Sequence, residues 1–249
     1  PLIRSLFLPE SGCKWGCFDY SQQEPRLIVH YASLDQDTNV FGVKDSYLNE
    51  GADFHTIVAK MADIPRDQAK TINLGLFYGM GKAKLQAELG VSKEKAEELF
   101  SIYHSRVPFV KTLMNSVSNR AQQRGQIRTL LGRLCRFPLW EPNQFGMHKA
   151  LPFEQAVQEH GPGIRRAYTY KALNKLIQGS AADMTKKSML DLYKEGIVAH
   201  IQIHDELDLS IDSDKKAKKI VEIMENAVSL EVPNKVDYES GDNWGDIYD

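Results

Sequence analysis

No run of apolar residues in this sequence approaches the ~18 that a membrane-spanning helix needs, and no charged-then-apolar leader opens it. Neither a span nor a secretory signal is therefore expected. Cysteine is nearly missing. Cys13, Cys17 and Cys135 form an odd set with no completing CxxC or CxxH spacing, which excludes a disulfide framework and a zinc cage and suits a reducing compartment. Cys13 and Cys17 are expected to share one face of a strand as buried thiols. Excess charge is missing too: a formal net charge of −2 argues against a protein that grips nucleic acid by bulk charge. Internal repeats, low-complexity tracts and Gly/Ser linkers are absent, so the 249 residues read as one large domain or two lobes of one. The first residue is Pro1 rather than Met, with a strand-like pattern close behind, so a longer parent chain is expected.

What is present is local. Arg120, Arg124, Arg128, Arg133 and Arg136 form one basic cluster without an intervening acid, and Arg165-Arg166 with Lys171 and Lys175 form another. Each is either a phosphate-contacting patch or a solvated helix face. The pattern predicts a short strand over 12–19 and a helix over 22–34 carrying Leu27, Ile28 and Tyr31 inward. Residues 35–50 read as irregular because Asp37, Asn39, Gly42 and Asp45 break structure. A helix opens at Pro65 and ends at Gly79-Met-Gly81. Ser92 caps another, which Pro108 bends, and Gly125 closes that region. Residues 138–163, with four Pro and three Gly, read as a surface insertion or inter-lobe loop. A long helix is expected from about Arg166 to Glu195, stopped by Gly196. Then comes a hairpin over 197–203 and 207–211, with Ile201/Ile203 and Leu207/Leu209/Ile211 alternating with polar positions. Ser213 opens a last amphipathic helix with Ile220, Ile223, Met224 and Ala227 on one face, and Val236–Trp244 reads as an edge strand and tail. The fold class is α+β, with a helical lobe set into a sheet-based one.

The richest stretch is Arg66-Asp-Gln-Ala-Lys70-Thr-Ile-Asn-Leu74-Gly-Leu-Phe-Tyr78-Gly79. Pro65 suits the first turn of a helix. Steps of four drift only ~40° each, so Arg66, Lys70, Leu74 and Tyr78 fall on one slanting stripe roughly 18 Å long. Two cations, an apolar side chain and a ring follow the order of phosphates, sugar and base in a nucleoside triphosphate. An amphipathic helix with a charged first turn gives the same spacing.

Two carboxylates stand far apart in sequence but at similar local positions. Asp19 ends the first strand, and Asp205 sits at the hairpin turn 186 residues later. Acids on the ends of neighbouring strands can hold two divalent cations ~3.5–4 Å apart, and hard oxygen donors without a His/Cys cage suit Mg²⁺. A helix cap and a turn residue are the plainer alternatives. Glu24 completes Ser21-x-x-Glu24, a capping box, or stands beside a bound sugar. Asn174 and Gln178 are one turn apart and precede Gly179-Ser-Ala-Ala, where small residues allow close backbone approach. Their amides read a duplex minor groove or bond a neighbouring loop.

Asp19-Tyr-Ser-Gln-x-Glu24-x-Arg26, Arg66-x3-Lys70-x7-Tyr78-Gly79, Gln178-Gly-Ser-Ala-Ala-Asp183 and Gln202-x-His204-Asp205-Glu206 occur in the order seen in family-A DNA polymerases. The chain resembles the bacterial DNA polymerase I type and especially its phage relatives, from Ile3-Arg4 to Trp244. The resemblance implies a palm split in sequence (1–36 and 166–249) around inserted fingers (37–165). It implies DNA-directed DNA synthesis from dNTPs on primer-template DNA, with two Mg²⁺ ions, in the cytoplasm of a bacterial or phage-infected cell. Asp19, Asp205 and the Tyr20 carbonyl would ligate metal, with Glu206 nearby and catalytic. Arg66, Lys70 and His55 would hold the triphosphate, Lys70 also serving catalysis, while Leu74, Tyr78, Gln22 and Glu24 would line the nucleotide site. Tyr78 would close on the nascent pair, and Glu24 would exclude a ribose 2′-hydroxyl. Asn174, Gln178, His204, Arg128, Arg133 and Arg136 would meet DNA. No processivity factor is identified.

The sequence departs from that pattern at Leu74, where relatives carry Phe or Tyr, at Gln23-Glu-Pro25, at Tyr170 and through 138–165. Two other readings compete. A single-subunit RNA polymerase shares the Asp and the Arg/Lys/Tyr helix, but it has to admit the 2′-hydroxyl, which Glu24 and the His-Asp-Glu ending oppose. A non-catalytic DNA-binding piece would bind primer-template without magnesium-dependent extension.

Overall fold

The computed structural model describes residues 3–36, 38–49, 53–77, 81–144, 146 and 148–247. In chain order these form β1 (Lys14–Tyr20), α1 (Gln23–Leu34), α2 (Phe41–Asn49), α3 (Phe54–Ala62), α4 (Arg66–Phe77), α5 (Lys82–Leu89), α6 (Lys93–Arg106) and α7 (Pro108–Arg124). They continue with β2 (Gln126–Arg128), β3 (Leu134–Arg136), β4 (Leu139–Pro142), β5 (Leu151–Pro152), α8 (Phe153–His160), β6 (Ile164–Arg166) and α9 (Ala172–Lys194). The last elements are β7 (Ile201–Ile203), β8 (Glu206–Ile211), α10 (Asp214–Glu225) and β9 (Val236–Gly241). Helix and sheet are thus mixed. The chain divides into two compact units, Pro1–His30 with Ser180–Asp249, and Tyr31–Gly179.

The discontinuous unit is built on an antiparallel sheet in the order β7-β8-β1-β9. β1 pairs on one side with β8 (Asp19 opposite Glu206, Cys17 opposite Asp208) and on the other with β9 (Asp19 opposite Asp237, Cys17 opposite Glu239). Side chains alternate with period two, so the sheet has two distinct faces. One presents Phe18, stacked on Tyr238 at 4.7 Å, with Leu207 and Leu209. Tyr20 lies on this face too, and its hydroxyl reaches Ser188 Oγ on α9 at 2.6 Å and the Met224 carbonyl on α10. The other face carries Trp15, Cys17 and Asp19. Trp15 and Cys17 pack with Trp244 against Ile201, Ile203 and Ile247. β8 is therefore buried from Leu207 to Ile211, where sequence alternation alone suggests one wet face.

In the inserted unit, Asp53 caps α3 by accepting the Thr56 N–H, and α4 begins after Pro65. Ser92 caps α6, and Gly125 ends α7 at φ +68°. β2 and β3 form a hairpin, and β5-β4-β6 form a small sheet with α8 between its strands.

Several expectations are corrected. Residues 35–50 are not irregular throughout: 41–49 form α2, because Gly42 and Asp45 fall within a turn whose Val43 and Tyr47 are buried. Pro108 does not bend a helix but starts one, at a position where its missing N–H costs nothing. Residues 138–163 are not a loop throughout, since they carry β4, β5 and α8. Their strands are two to four residues long, too short to show a period, and depend on pairs such as Glu141 with Arg165. The long helix starts at Ala172 rather than Arg166, since Arg166 is held in β6 by pairing with Trp140. Cys13 lies outside β1 and is only half-buried, whereas Cys17 is buried within the strand.

Candidate active site

Asp19 sits near the C-terminal end of β1, flanked by Glu206 on one neighbouring strand and Asp237 on the other. The β7–β8 turn brings Asp205 to the same end. Its carbonyl accepts the Tyr20 N–H at 3.4 Å, and His204 takes a left-handed conformation, φ +52°, so that the two-residue turn can close. The His204 carbonyl also accepts from Gln202 Nε2 at 2.8 Å. Together these elements surround a cavity of about 320 Å³ lined by Asp19, Asp205, Glu206, Asp237 and Glu239, with Arg4 at its wall.

The electrostatics follow from that crowding. Burial, then the negative charges of Asp205, Glu206 and Asp237, push the Asp19 carboxyl up to about 7, and the Asp205 carboxyl is near enough to share a proton with it. Asp205 is also raised, chiefly by burial. In the next row, Asp208 is fully buried beside Cys17, Trp15 and Glu206, and no hydrogen bond of good geometry from a described residue reaches either carboxylate oxygen. Burial lifts it to about 6, and burial with the Asp208 charge lifts the Cys17 thiol far above its usual range. The Cys17 sulfur and oxygens of Glu206 and Asp208 all lie within 4.8 Å of one another. An array of hard oxygen donors that repel one another fits a site completed by divalent cations.

Asp208, Asp237 and Glu239 were not anticipated. The acids at 237 and 239 do alternate along an expected edge strand, which is a usable signal. Asp208 is less legible, because a polar residue between Leu207 and Leu209 reads as solvent-facing until Trp15 and Trp244 are known to cover that face.

The inserted unit gathers cations instead. Arg66 Nε donates to Asp53 Oδ2 at 2.8 Å, the same oxygen that caps α3 through Thr56. Burial alone would raise the Asp53 carboxyl, but its bonds from Thr56 and Arg66 hold it below the usual range. His55 is buried two residues after Asp53, and burial with the cations Arg66 and Lys70 lowers its pKa. Its Nδ1 lies 3.1 Å from Asn73 Nδ2, and Tyr103 Oη donates to Asn73 Oδ1 at 2.7 Å. Lys70 is exposed one turn along α4 from Arg66. Leu74 is on α4, but its side chain lies outside what is described, and Tyr78 with Gly79 lies outside the described residues altogether.

The first helical bond of α1 runs from Arg26 N–H to the Gln22 carbonyl, so Gln22, at φ +55°, precedes the helix and Glu24 is its second residue. The capping-box reading of Ser21 and Glu24 is therefore off by one residue. Arg26 closes the turn instead, donating to the Ser21 carbonyl at 2.8 Å and to the Pro233 carbonyl. Gln178 is exposed and Asn174 half-buried on α9. Gly179 comes so close to Thr129 that a Cβ would stand 2.6 Å from its methyl, and Arg133 donates to the Gly179 carbonyl. Arg128 and Arg136 share the exposed face of the β2–β3 hairpin, opposite buried Ile127. By contrast, Arg165 pairs with Glu141, and Arg166 spans Gln122, Phe137 and the Trp140 ring, so that basic cluster is largely structural.

Comparison with known proteins converges on one family. A family model described as DNA polymerase family A matches residues 2–246. A DNA-directed DNA polymerase of Pseudomonas phage M6 is 34% identical over 284 residues, covering 97% of this chain and 40% of that protein. DNA polymerase I of Geobacillus stearothermophilus is 33% identical over 264 residues, covering 98% of this chain and 27% of that protein. The solved polymerase domain of Pol1 from M. smegmatis, in complex with DNA primer-template and dNTP, superposes with a TM-score of 0.77 at 27% identity, over 99% of this chain and 43% of that one. The chain thus spans less than half the length of these relatives.

Proposed function

The chain belongs to DNA polymerase family A, and from that premise we propose that it forms the palm and fingers of a template-directed DNA polymerase. The reaction is transfer of a nucleoside monophosphate from a dNTP to a primer 3′-hydroxyl, with pyrophosphate released. The observation that carries this reading is the convergence of Asp19 and Asp205 on one acid-lined cavity from strands whose residues lie 186 positions apart.

Asp19, Asp205 and the Tyr20 carbonyl would hold two Mg²⁺ ions, with Glu206 adding negative charge beside them. Such ions, when bound, lower the pKa of an attacking hydroxyl and neutralise a leaving phosphate. The chain's own side chains do the rest by position and charge. Arg66 and Lys70 clamp the triphosphate as cations, and His55 adds a donor. Leu74 and Tyr78 line the sugar and base, and Gln22 stands with Glu24 at the nucleotide site. Glu24, the second residue of α1, blocks a 2′-hydroxyl. Gln178, Asn174 and His204 meet the primer end or minor groove, and Arg128, Arg133 and Arg136 meet phosphates. Primer-template DNA and dNTPs are the partners, and the cytoplasm of a bacterial or phage-infected cell is the proposed setting, a reading supported by the bacterial and phage origin of the relatives.

The test is primer extension by Asp19→Asn and Asp205→Asn proteins with Mg²⁺. Extension is expected to fall by three orders of magnitude or more, roughly, while primer-template affinity changes little. Near-normal turnover by either variant would refute the assignment.

A further inference from the structure

The inserted unit holds a buried chain of three polar side chains that ends at His55. Tyr103 and Asn73 are fully buried and His55 nearly so. Tyr103 Oη has one hydrogen-bond partner among the described residues, Asn73 Oδ1 at 2.7 Å. That single partner fixes the direction of the chain. A buried hydroxyl proton without an acceptor is costly, whereas a phenol oxygen left with an unused lone pair is cheap, so Tyr103 donates. Asn73 must then present its oxygen to Tyr103 and its NH₂ to His55 Nδ1, 3.1 Å away. A ring nitrogen that accepts carries no proton. The proton of the neutral ring is left on Nε2, which no group of the described residues engages.

We propose that Tyr103 and Asn73 are positioning residues that lock His55 as the Nε2–H tautomer, so that it offers an incoming triphosphate a neutral N–H donor between two cations. The inference rests on the reading of His55 as a phosphate contact and adds how its donor is set. The logic is economical. Arg66 and Lys70 already supply positive charge beside the ring, offset in part by the Asp53 carboxylate. A third cation there would be repelled, while a neutral donor adds a directional bond without adding charge. The order Tyr–Asn–His matters because a reversed amide would put the proton on Nδ1 and leave Nε2 only an acceptor, which repels phosphate oxygen.

The experiment is ¹⁵N-histidine NMR on the protein, with the His55 signals picked out from the seven histidines by their loss in His55→Gln. A bare Nδ1 and a protonated Nε2 are expected at mildly alkaline pH. Tyr103→Phe removes the group that orients the amide and is expected to give a mixture of both tautomers. Asn73→Asp keeps the shape but replaces the donor with an acceptor and is expected to move the proton to Nδ1. In steady-state extension, Tyr103→Phe is expected to raise KM for dNTP up to roughly tenfold, the worth of one hydrogen bond, with kcat held. A wild-type Nδ1–H, or a Tyr103→Phe spectrum still purely Nε2–H, overturns the relay. The expected spectra with an unmoved KM would remove His55 from the triphosphate, and with it the donor half of the proposal, while leaving DNA synthesis itself untouched.

Discussion

The two units treat charge in opposite ways. On the discontinuous sheet, Asp19, Asp205, Glu206, Asp208, Asp237 and Glu239 gather at one end and face, and two of them, Asp19 and Asp208, are pushed up to about 7 and about 6 by burial and by neighbouring acids. In the inserted unit the groups are matched before any ligand arrives: Asp53 holds Arg66 and caps α3, and Asn73 holds His55. The sheet stores repulsion that a cation relieves. The helices store order that is in place before any ligand. The two units thus suit groups of opposite charge for different physical reasons.

The first way to break the contrast is to remove Lys70, an exposed cation with no ion-pair partner among the described residues. Lys70→Ala is expected to lower kcat/KM by about 10²–10³, the scale for losing one charged donor at a reacting phosphate. Melting temperature should hardly move, because Lys70 is exposed. Single-turnover rates across a range of dNTP concentrations measure it, and an effect on stability alone would dissolve the contrast.

The second prediction concerns stored repulsion. Asp208 titrates near 6 in the folded chain against ~3.9 unfolded, so its ionisation opposes folding. The penalty is absent below the unfolded value, grows as pH rises toward about 6, and is constant above it. Asp208→Asn, compared with wild type by denaturant unfolding in EDTA, should therefore gain ~2–3 kcal/mol at pH 8 and almost nothing at pH 4. A pH-independent difference would mean that Cys17 and Trp15 beside it already compensate the buried carboxylate.

Gly179→Ala tests order rather than charge. Its Cβ would meet the Thr129 methyl at 2.6 Å, and Thr129 is buried with its N–H committed to the Arg133 carbonyl. A loss of ~1–3 kcal/mol is expected, with the β2–β3 hairpin displaced. Amide hydrogen exchange at 126–136 would locate the effect, and wild-type protection there would show that the close approach is dispensable.

The smallest effect belongs to Asp53→Asn, which keeps a capping acceptor but loses the ion pair with Arg66. Both carboxylate and guanidinium are partly in water, so stability should fall by less than ~1 kcal/mol. The wild-type pair contributes above the unfolded pKa of Asp53 and is lost as pH falls through its lowered folded value, so the variant should differ most near neutrality. A larger fall in dNTP affinity than in stability would show that prior ordering of Arg66 matters for phosphate.

The elements that sequence revealed are those with a strong local signal. The β7–β8 hairpin around His204-Asp205, α4 behind Pro65 and α10 behind Ser213 each carry a period and a cap or turn. The pairing of Asp19 with Asp205 was legible through strand ends and family motifs. What escaped depends on contacts distant in sequence. α2 needs buried Val43 and Tyr47 to outweigh Gly42 and Asp45, and β4–β6 need each other. The Tyr103–Asn73–His55 chain joins residues 18 and 30 apart on three helices, and no spacing rule singles them out. Burial of Asp208 follows from Trp15 and Trp244, at opposite ends of the chain.

Because Asp19 lies in one cross-strand row with Glu206 and Asp237, its placement is a matter of parity. One residue inserted within β1 or β8 reverses which face every following side chain takes, and turns the acid row into the packed interior. The 149 residues of the segment Tyr31–Gly179 enter between those same strands without shifting their register at all. Length is therefore tightly rationed inside a seven-residue strand and almost free between strands. A lineage carrying this sheet could remodel or enlarge the inserted segment many times over, so long as it never counted wrongly by one in β1.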